Sequence, residues 1–78
     1  MTTESIGVYV VDDHALVREW LGNLLRLHED MKLIGEAEDA DRALPEILRL
    51  QPDVAVVDSG ISGVSHWNVD GFDCCVLV

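Results

Sequence analysis

The amino-acid sequence predicts a parallel, doubly wound α/β sheet, and three observations favour this fold class. Two short runs, residues 6–11 and 54–57, have the apolar, β-branched composition of strands that are buried on both faces. Two segments with helical periodicity lie between them, so strands and helices alternate along the chain. The interval between the two runs leaves room for two crossover connections, and 78 residues allow a single domain.

The first strand, residues 6–11, stops abruptly at Asp12 and Asp13. A helix is predicted over residues 14–28, because its large apolar side chains fall within one half of the helical wheel. We expect that half to pack on the sheet; it consists of Leu16, Val17, Trp20, Leu21, Leu24, Leu25 and Leu27.

The second strand, residues 32–37, is less hydrophobic than the first, which favours a position near the sheet edge. A second helix is predicted over residues 39–50, with Pro45 expected to delay or kink it because proline lacks a backbone donor. The third strand, residues 54–57, ends at Asp58. Farther on, residues 74–78 are compatible with one short strand.

Composition excludes several classes of function. The chain has 15 acidic and five basic residues and a formal net charge of −10, which disfavours direct binding to nucleic acid or to an anionic membrane surface. Its apolar runs are too short to span a bilayer, and no basic, secretory-type leader is visible, so a cytoplasmic location is expected. Cys74 and Cys75 are adjacent and are expected to be ordinary reduced cysteines.

Three aspartates at the ends of predicted strands indicate a possible site for chemistry. Asp12 and Asp13 follow the first strand, and Asp58 ends the third. In a sheet of order 2-1-3 these strands are neighbours, and ligands bind beyond their carboxyl ends. Carboxylates crowded there repel one another, so a cation is the natural compensation, and hard oxygen ligands suit Mg²⁺. A carboxylate beside such an ion can also attack a phosphoryl group.

Each aspartate also has a purely structural interpretation. Asp13 is well placed as the N-cap of the first helix. Asp12 can simply end a strand, and Asp58 can open a turn. Spacing alone leaves these alternatives open.

Three segments together resemble the receiver domains of bacterial two-component response regulators, especially the LuxR/NarL-like branch. They are VVDDHALVRE at residues 10–19, IGEA at 34–37 and PDVAVVD at 52–58. The resemblance implies a flavodoxin-like receiver fold with a regulatory, non-enzymatic role. It implies that Asp58 is the phosphoacceptor and that Asp12, Asp13 and Asp58 bind Mg²⁺. The implied partner is a sensor histidine kinase, and a second receiver domain is a further candidate.

The resemblance covers residues 5–63, a partial receiver domain, whereas residues 64–78 form a divergent tail. Family members carry a Thr or Ser after the fourth strand and a Lys after the fifth, but the threonines here are Thr2 and Thr3 and the lysine is Lys32. The expected architecture is therefore incomplete, truncated after the third strand by a broken or fragmentary gene. The third strand would then be an exposed apolar edge, unless the tail supplies a replacement strand.

Three hypotheses follow for the function. The leading one is a receiver that accepts a phosphoryl group on Asp58 in phosphorelay signalling. The alternative is a degenerate receiver that is not phosphorylated and acts as a protein-interaction module. An independent α/β enzyme is the weakest, because the sequence has no nucleophile elbow, phosphate-binding loop or dinucleotide fingerprint.

Overall fold

The computed structural model describes residues 5–58, 60–61 and 73–77. Its centre is one parallel sheet with the strand order β2-β1-β3-β4. All three strand pairs are parallel, and the strands are β1 (Ile6–Val11), β2 (Met31–Ala37), β3 (Val54–Asp58) and β4 (Asp73–Leu77). The predicted 2-1-3 order and the edge position of β2 are both confirmed.

Two helices connect the first three strands: α1 (Ala15–Arg26) follows β1, and α2 (Ala40–Leu50) follows β2. The chain steps from β1 outward to β2 and then back across β1 to β3. Because such crossovers are right-handed, the two helices lie on opposite faces of the sheet, as a doubly wound fold requires. Neither helix is long and apolar enough to cross a bilayer, among the residues described.

The main core lies between α2 and one face of the sheet. Alternate residues of β1 and β3 point to the same face, where they meet Ala43 and Ile47 of α2. The buried strand residues of this core are Tyr9, Val11, Ala37, Ala55 and Val57. The predicted strands therefore provide the core, and the register of β1 and β3 is fixed by this buried set.

Helix α1 packs less completely than its sequence predicts. No residue of α1, the whole of which is described, is fully buried. Val17, Leu21 and Leu25 are half-buried on the sheet side. The rest of the predicted apolar half is exposed, and we call these residues the α1 stripe: Leu16 (80% exposed), Trp20 (61%), Leu24 (40%) and Leu27 (78%). The expectation that the entire apolar half packs on the sheet is wrong.

Helix α2 shows how a proline is accommodated. Asp39 is its N-cap, with the side chain accepting a hydrogen bond from the Arg42 amide at 2.8 Å. The helix begins at Ala40, one residue later than predicted, and continues through Pro45 to Leu50. It ends where Gln51 adopts a left-handed conformation with φ 52°.

The edge of the sheet differs from the expectation for a chain without its later strands. β3 is paired on its outer side with β4, in the register Val54 to Asp73 through Asp58 to Leu77. Of the two outcomes considered for the tail, a replacement strand is therefore the one found, and β3 is not an exposed edge. Residues 68–71, whose sequence NVDG is typical of a turn, lie outside the described residues.

A close approach between β2 and β1 explains one glycine. The Tyr9 ring is fully buried, and its hydroxyl donates a hydrogen bond to Glu46 of α2. Burial, followed by this hydrogen bond, raises the pKa of the Tyr9 phenol. A Cβ at Gly35 would lie 2.6 Å from Cε2 of the Tyr9 ring, which is closer than real side-chain contacts. Gly35 therefore leaves the space that the ring fills.

Substituting Gly35→Ala tests this packing. The methyl group collides with a ring that has no room to move, so we expect the free energy of unfolding to fall by about 1–3 kcal/mol, measured by urea denaturation followed by circular dichroism. Gly22→Ala in α1 is the matched control, because a Cβ there meets Leu33 at an ordinary 3.4 Å. That variant should keep or raise stability, since alanine favours helix. Equal stability of the two variants would contradict the packing argument.

Candidate functional site

The pairing of β1 with β3 places two of the predicted aspartates side by side. In this parallel pair Val11 is opposite Val57. Asp12 and Asp58 therefore lie next to each other at the carboxyl ends of two neighbouring strands. Asp12 remains tied to β2 as well, since its amide donates to the Ala37 carbonyl at 3.0 Å. The pairing of the strands alone therefore positions both carboxylates, without help from a loop.

The cluster runs from a buried floor to an open mouth. Asp12 forms the floor with 4% exposure, and the Asp58 side chain is 20% exposed. Asp13 and His14 form the mouth, where both side chains are mostly exposed. One potential ligand atom from each of these four residues lies within 4.8 Å of all the others. The expected convergence of Asp12, Asp13 and Asp58 is thus present, and His14 joins them.

His14 lies in contact with the carboxylates. Its Nδ1 is 2.8 Å from Oδ1 of Asp12, 2.8 Å from Oδ1 of Asp13 and 3.7 Å from Oδ2 of Asp58. The hydrogen bond to Asp12 and the negative charge of Asp13 raise the pKa of the His14 imidazole. At neutral pH a larger fraction of this imidazole is therefore protonated than in a free histidine, and it offsets part of the crowded negative charge.

Asp58 is oriented by the turn that follows it. Its Oδ1 accepts a hydrogen bond from the Gly60 amide at 3.1 Å, and the Ile61 amide donates to its carbonyl at 3.0 Å. Because Oδ1 is engaged by the turn, Oδ2 is the oxygen nearer to His14. Asp58 thus opens a turn, as its structural interpretation predicts, and its side chain also faces the cluster.

The structural interpretation of Asp13 is wrong. The N-cap of α1 is His14, whose side chain makes no capping hydrogen bond, and the exposed Asp13 lies one residue earlier. The His14 amide instead donates to Oδ1 of Asp12 at 2.8 Å. The start of the helix is therefore held by Asp12, which leaves Asp13 at the mouth of the cluster.

Two residues of this site were not identified from the sequence. His14 is not among the site residues predicted above, although its position directly after Asp12 and Asp13 is a signal in the sequence that points to it. Arg18 lies outside the predicted apolar half of α1, yet its guanidinium donates hydrogen bonds to the backbone carbonyl of Asp12 and, at 3.2 Å, to Oε1 of Glu36. Lys32 pairs with Gly7 near the start of the strands, at the end of the sheet opposite the acidic cluster.

The four side chains form a donor set that suits a divalent cation. Carboxylate oxygens are the preferred ligands of Mg²⁺, and metal–ligand distances of about 2.1 Å place neighbouring ligands about 3 Å apart. One oxygen of each of the three carboxylates lies within 4.8 Å of the others, and the His14 nitrogen among them makes a hydrogen bond to Asp12 at 2.8 Å. The chemistry of the acidic residues therefore fits a small hard cation.

The order of the strands and the acidic cluster define a class of protein: parallel α/β domains with a carboxylate site at the switch point of the sheet. A family model for the response regulator receiver domain matches residues 8–77. The chain belongs to this family of receiver domains.

Individual relatives agree with this assignment. The chain is 42% identical over 64 residues to YvfU, an uncharacterized transcriptional regulatory protein of Bacillus subtilis, covering 82% of this chain and 32% of YvfU. It is 40% identical over 55 residues to a protein-glutamate methylesterase/protein-glutamine glutaminase of Geobacillus kaustophilus, covering 70% of this chain and 16% of the relative. The chain thus spans a third or less of the length of these relatives.

Solved structures show the same fold. The signal receiver domain of the putative response regulator NarL from Mycobacterium tuberculosis superposes with a TM-score of 0.71 at 40% identity, covering 77% of this chain and 48% of that one. The response regulator domain of CheB from Thermotoga maritima gives a TM-score of 0.71 at 35% identity, with 77% and 45% covered. The similarity to CheB is thus to its regulatory domain, and the flavodoxin-like receiver fold is confirmed.

Replacing Arg18 tests whether its side chain holds the helix against the site. Arg18→Ala removes the bonds to the Asp12 carbonyl and to Glu36, so we expect unfolding free energy to fall by about 1–2 kcal/mol in urea denaturation. Arg26→Ala, at an exposed position of the same helix, is the control and should change stability by less than about 0.5 kcal/mol. The anchoring role would be refuted by a loss at position 18 no larger than that at position 26.

Proposed function

We propose that this chain is a phosphoacceptor in phosphorelay signalling and that Asp58 carries the phosphoryl group. The observation that carries the proposal is the convergence of Asp12, Asp13, His14 and Asp58 within 4.8 Å at the carboxyl edge of a receiver-type sheet. Family membership and similarity to the NarL receiver domain and to YvfU, a transcriptional regulatory protein, support a signalling role.

Asp58 has the properties of an acceptor. It ends β3, its side chain remains partly accessible, and the Gly60 amide holds one carboxylate oxygen in place. A carboxylate oxygen attacks the phosphorus of a phosphohistidine donor, forming an O–P bond as the P–N bond breaks. The donor imidazole leaves with the electron pair of that bond and takes up a proton from water, and Asp58 becomes an acyl phosphate.

Asp12, Asp13 and Asp58 would hold Mg²⁺ in this proposal. The bound ion would offset the charge that the phosphoryl oxygens bring to an already acidic site. Asp12 contributes from the floor, where the amide of His14 and the edge of β2 fix its position. Asp13 contributes from the mouth, where its exposure lets it adjust to an incoming ion.

The proposed partner is a sensor histidine kinase, and the α1 stripe supports this assignment. Leu16 and Trp20 are exposed apolar side chains in the first turns of α1, directly after the N-cap residue His14. Contiguous exposed apolar surface marks protein interaction sites. A kinase helix that packs on this stripe would lie next to the cluster, where its phosphohistidine has to reach Asp58.

Asp58→Asn tests the acceptor assignment. Wild-type protein incubated with acetyl phosphate and Mg²⁺ should gain one phosphoryl group by intact-mass spectrometry, whereas the isosteric amide cannot form an acyl phosphate and should gain none. Asp41→Asn, an exposed position in the first turn of α2, is the control and should be phosphorylated like the wild type. Circular dichroism verifies that each variant is folded. Equal incorporation by Asp58→Asn and wild type would overturn the proposal.

The kinase-docking role of the α1 stripe is tested by Leu16→Ala with Trp20→Ala. Alanine keeps the helix but removes the apolar surface, so transfer from an autophosphorylated sensor histidine kinase that uses the wild type should slow about tenfold. Phosphorylation by acetyl phosphate should be unchanged, because this small donor needs no docking surface. Glu19→Ala with Asn23→Ala, at exposed polar positions of α1 outside the stripe, is the control and should behave as wild type with both donors. Equal slowing with both donors would argue against docking.

A further inference from the structure

A small cavity lies between the second half of α1 and the start of β2. Its volume is about 260 Å³, and its lining comes from these two elements: Gly22, Leu25, Arg26, Met31, Lys32 and Leu33. None of these residues belongs to the α1 stripe. Gly22 keeps the cavity open, because a Cβ there would already contact Leu33 at 3.4 Å. The volume is below the range of about 300–1,000 Å³ typical of small-molecule sites, and it suits an apolar side chain of a partner.

The charge of this cavity is opposite to that of the chain as a whole. The chain has five basic and 15 acidic residues, yet two of the five line the cavity and no acidic residue does. The other three, Arg18, Arg42 and Arg49, form ion pairs with acidic side chains. Arg26 and Lys32 are exposed and form no ion pair with a carboxylate of the described residues. Cations beside an apolar surface favour a ligand that is both acidic and apolar.

The β2 residues of the cavity belong to an edge strand. β2 pairs only with β1, so within the described part of the chain its outer backbone groups have no strand partner. The pairing register shifts after Leu33, and such a bulge interrupts a regular ladder. An added strand is therefore restricted to the stretch Met31–Leu33, directly beside the cavity. Peptides that add to a sheet edge gain affinity from main-chain hydrogen bonds and specificity from pockets for alternate side chains.

We propose that the cavity and the adjoining edge of β2 bind an acidic, extended peptide segment of a partner protein. The segment adds to β2 as a short strand and places an apolar side chain against Leu25 and Leu33. Its neighbouring carboxylates pair with Arg26 and Lys32. This site does not rest on the proposed function, because it lies at the opposite end of β2 from the acidic cluster.

The test is an NMR titration of the ¹⁵N-labelled full chain with the acetylated, amidated peptide DVDLDV. The amide signals of Met31–Leu33 and of the second half of α1 should shift, whereas the peptide KVKLKV should leave them unchanged. Arg26→Gln with Lys32→Gln should weaken binding of DVDLDV about tenfold or more, because two ion pairs are lost. Arg42→Gln with Arg49→Gln, at exposed positions of α2, is the matched control and should bind as wild type.

Two further arms test the strand and the cavity. DVDLDV with alternate backbone amides N-methylated keeps its side chains but loses main-chain donors, so it should bind about tenfold more weakly. Gly22→Leu should also weaken binding, because the new side chain fills the cavity. The proposal is overturned by no binding of DVDLDV, by shifts elsewhere, by equal weakening in the two double variants, or by equal binding of the methylated peptide.

A last pair of measurements separates the occupant and the two proposals. Sodium octanoate presents a carboxylate on an apolar chain without a peptide backbone, so it should bind more weakly than DVDLDV. Equal or tighter binding of octanoate would overturn the peptide assignment. Asp58→Asn should bind DVDLDV as wild type does, whether or not the wild type gains a phosphoryl group. Loss of peptide binding and loss of phosphorylation are therefore distinguishable.

Discussion

The parallel pairing of β1 with β3 is the constraint on which the site depends. With Val11 opposite Val57, the next residue of each strand end is brought to the same edge, and Asp12 and Asp58 converge. A slip of one residue would reverse the faces of a strand and move its buried set away from α2. The core that holds Tyr9 and Val57 under Ile47 therefore also sets the geometry of the acids. The same strand register therefore determines both the packing of the core and the position of the acidic residues.

Bringing three carboxylates together causes electrostatic repulsion, and only groups within or next to the cluster offset it. His14 offers positive charge at the mouth, and amides of His14 and Gly60 donate to Asp12 and Asp58. Arg18, the nearest arginine along the chain, is directed to a backbone carbonyl and to Glu36 rather than to the clustered carboxylates. Its charge stabilises the approach of α1 without neutralising the site. The negative charge that remains is what makes a cation the natural complement.

Much of this arrangement follows from the sequence. Apolar runs ending in aspartate, separated by amphipathic segments, predict the alternation of strands and helices, and in a sheet of order 2-1-3 they predict the meeting of Asp12 with Asp58. Side-chain direction is harder to predict, because it depends on neighbours from other elements. Asp13 has the residue type of an N-cap, yet the helix begins one residue later at His14. His14 enters the cluster only because that cap position turns its side chain toward Asp12, which no periodicity reveals.

For helix α1, too, the sequence pattern does not determine which side chains are buried. The helix also connects the exposed α1 stripe to the acidic cluster. Periodicity identifies its apolar half, but burial requires a neighbour, and the described sheet covers only the Val17, Leu21 and Leu25 side. Leu16 and Trp20 remain exposed. The residue that begins α1 is His14, so one rigid helix carries both the start of the apolar stripe and a member of the acidic cluster. A partner bound to the stripe would consequently be held at a fixed distance from Asp58, because a helix transmits position without bending over so few turns.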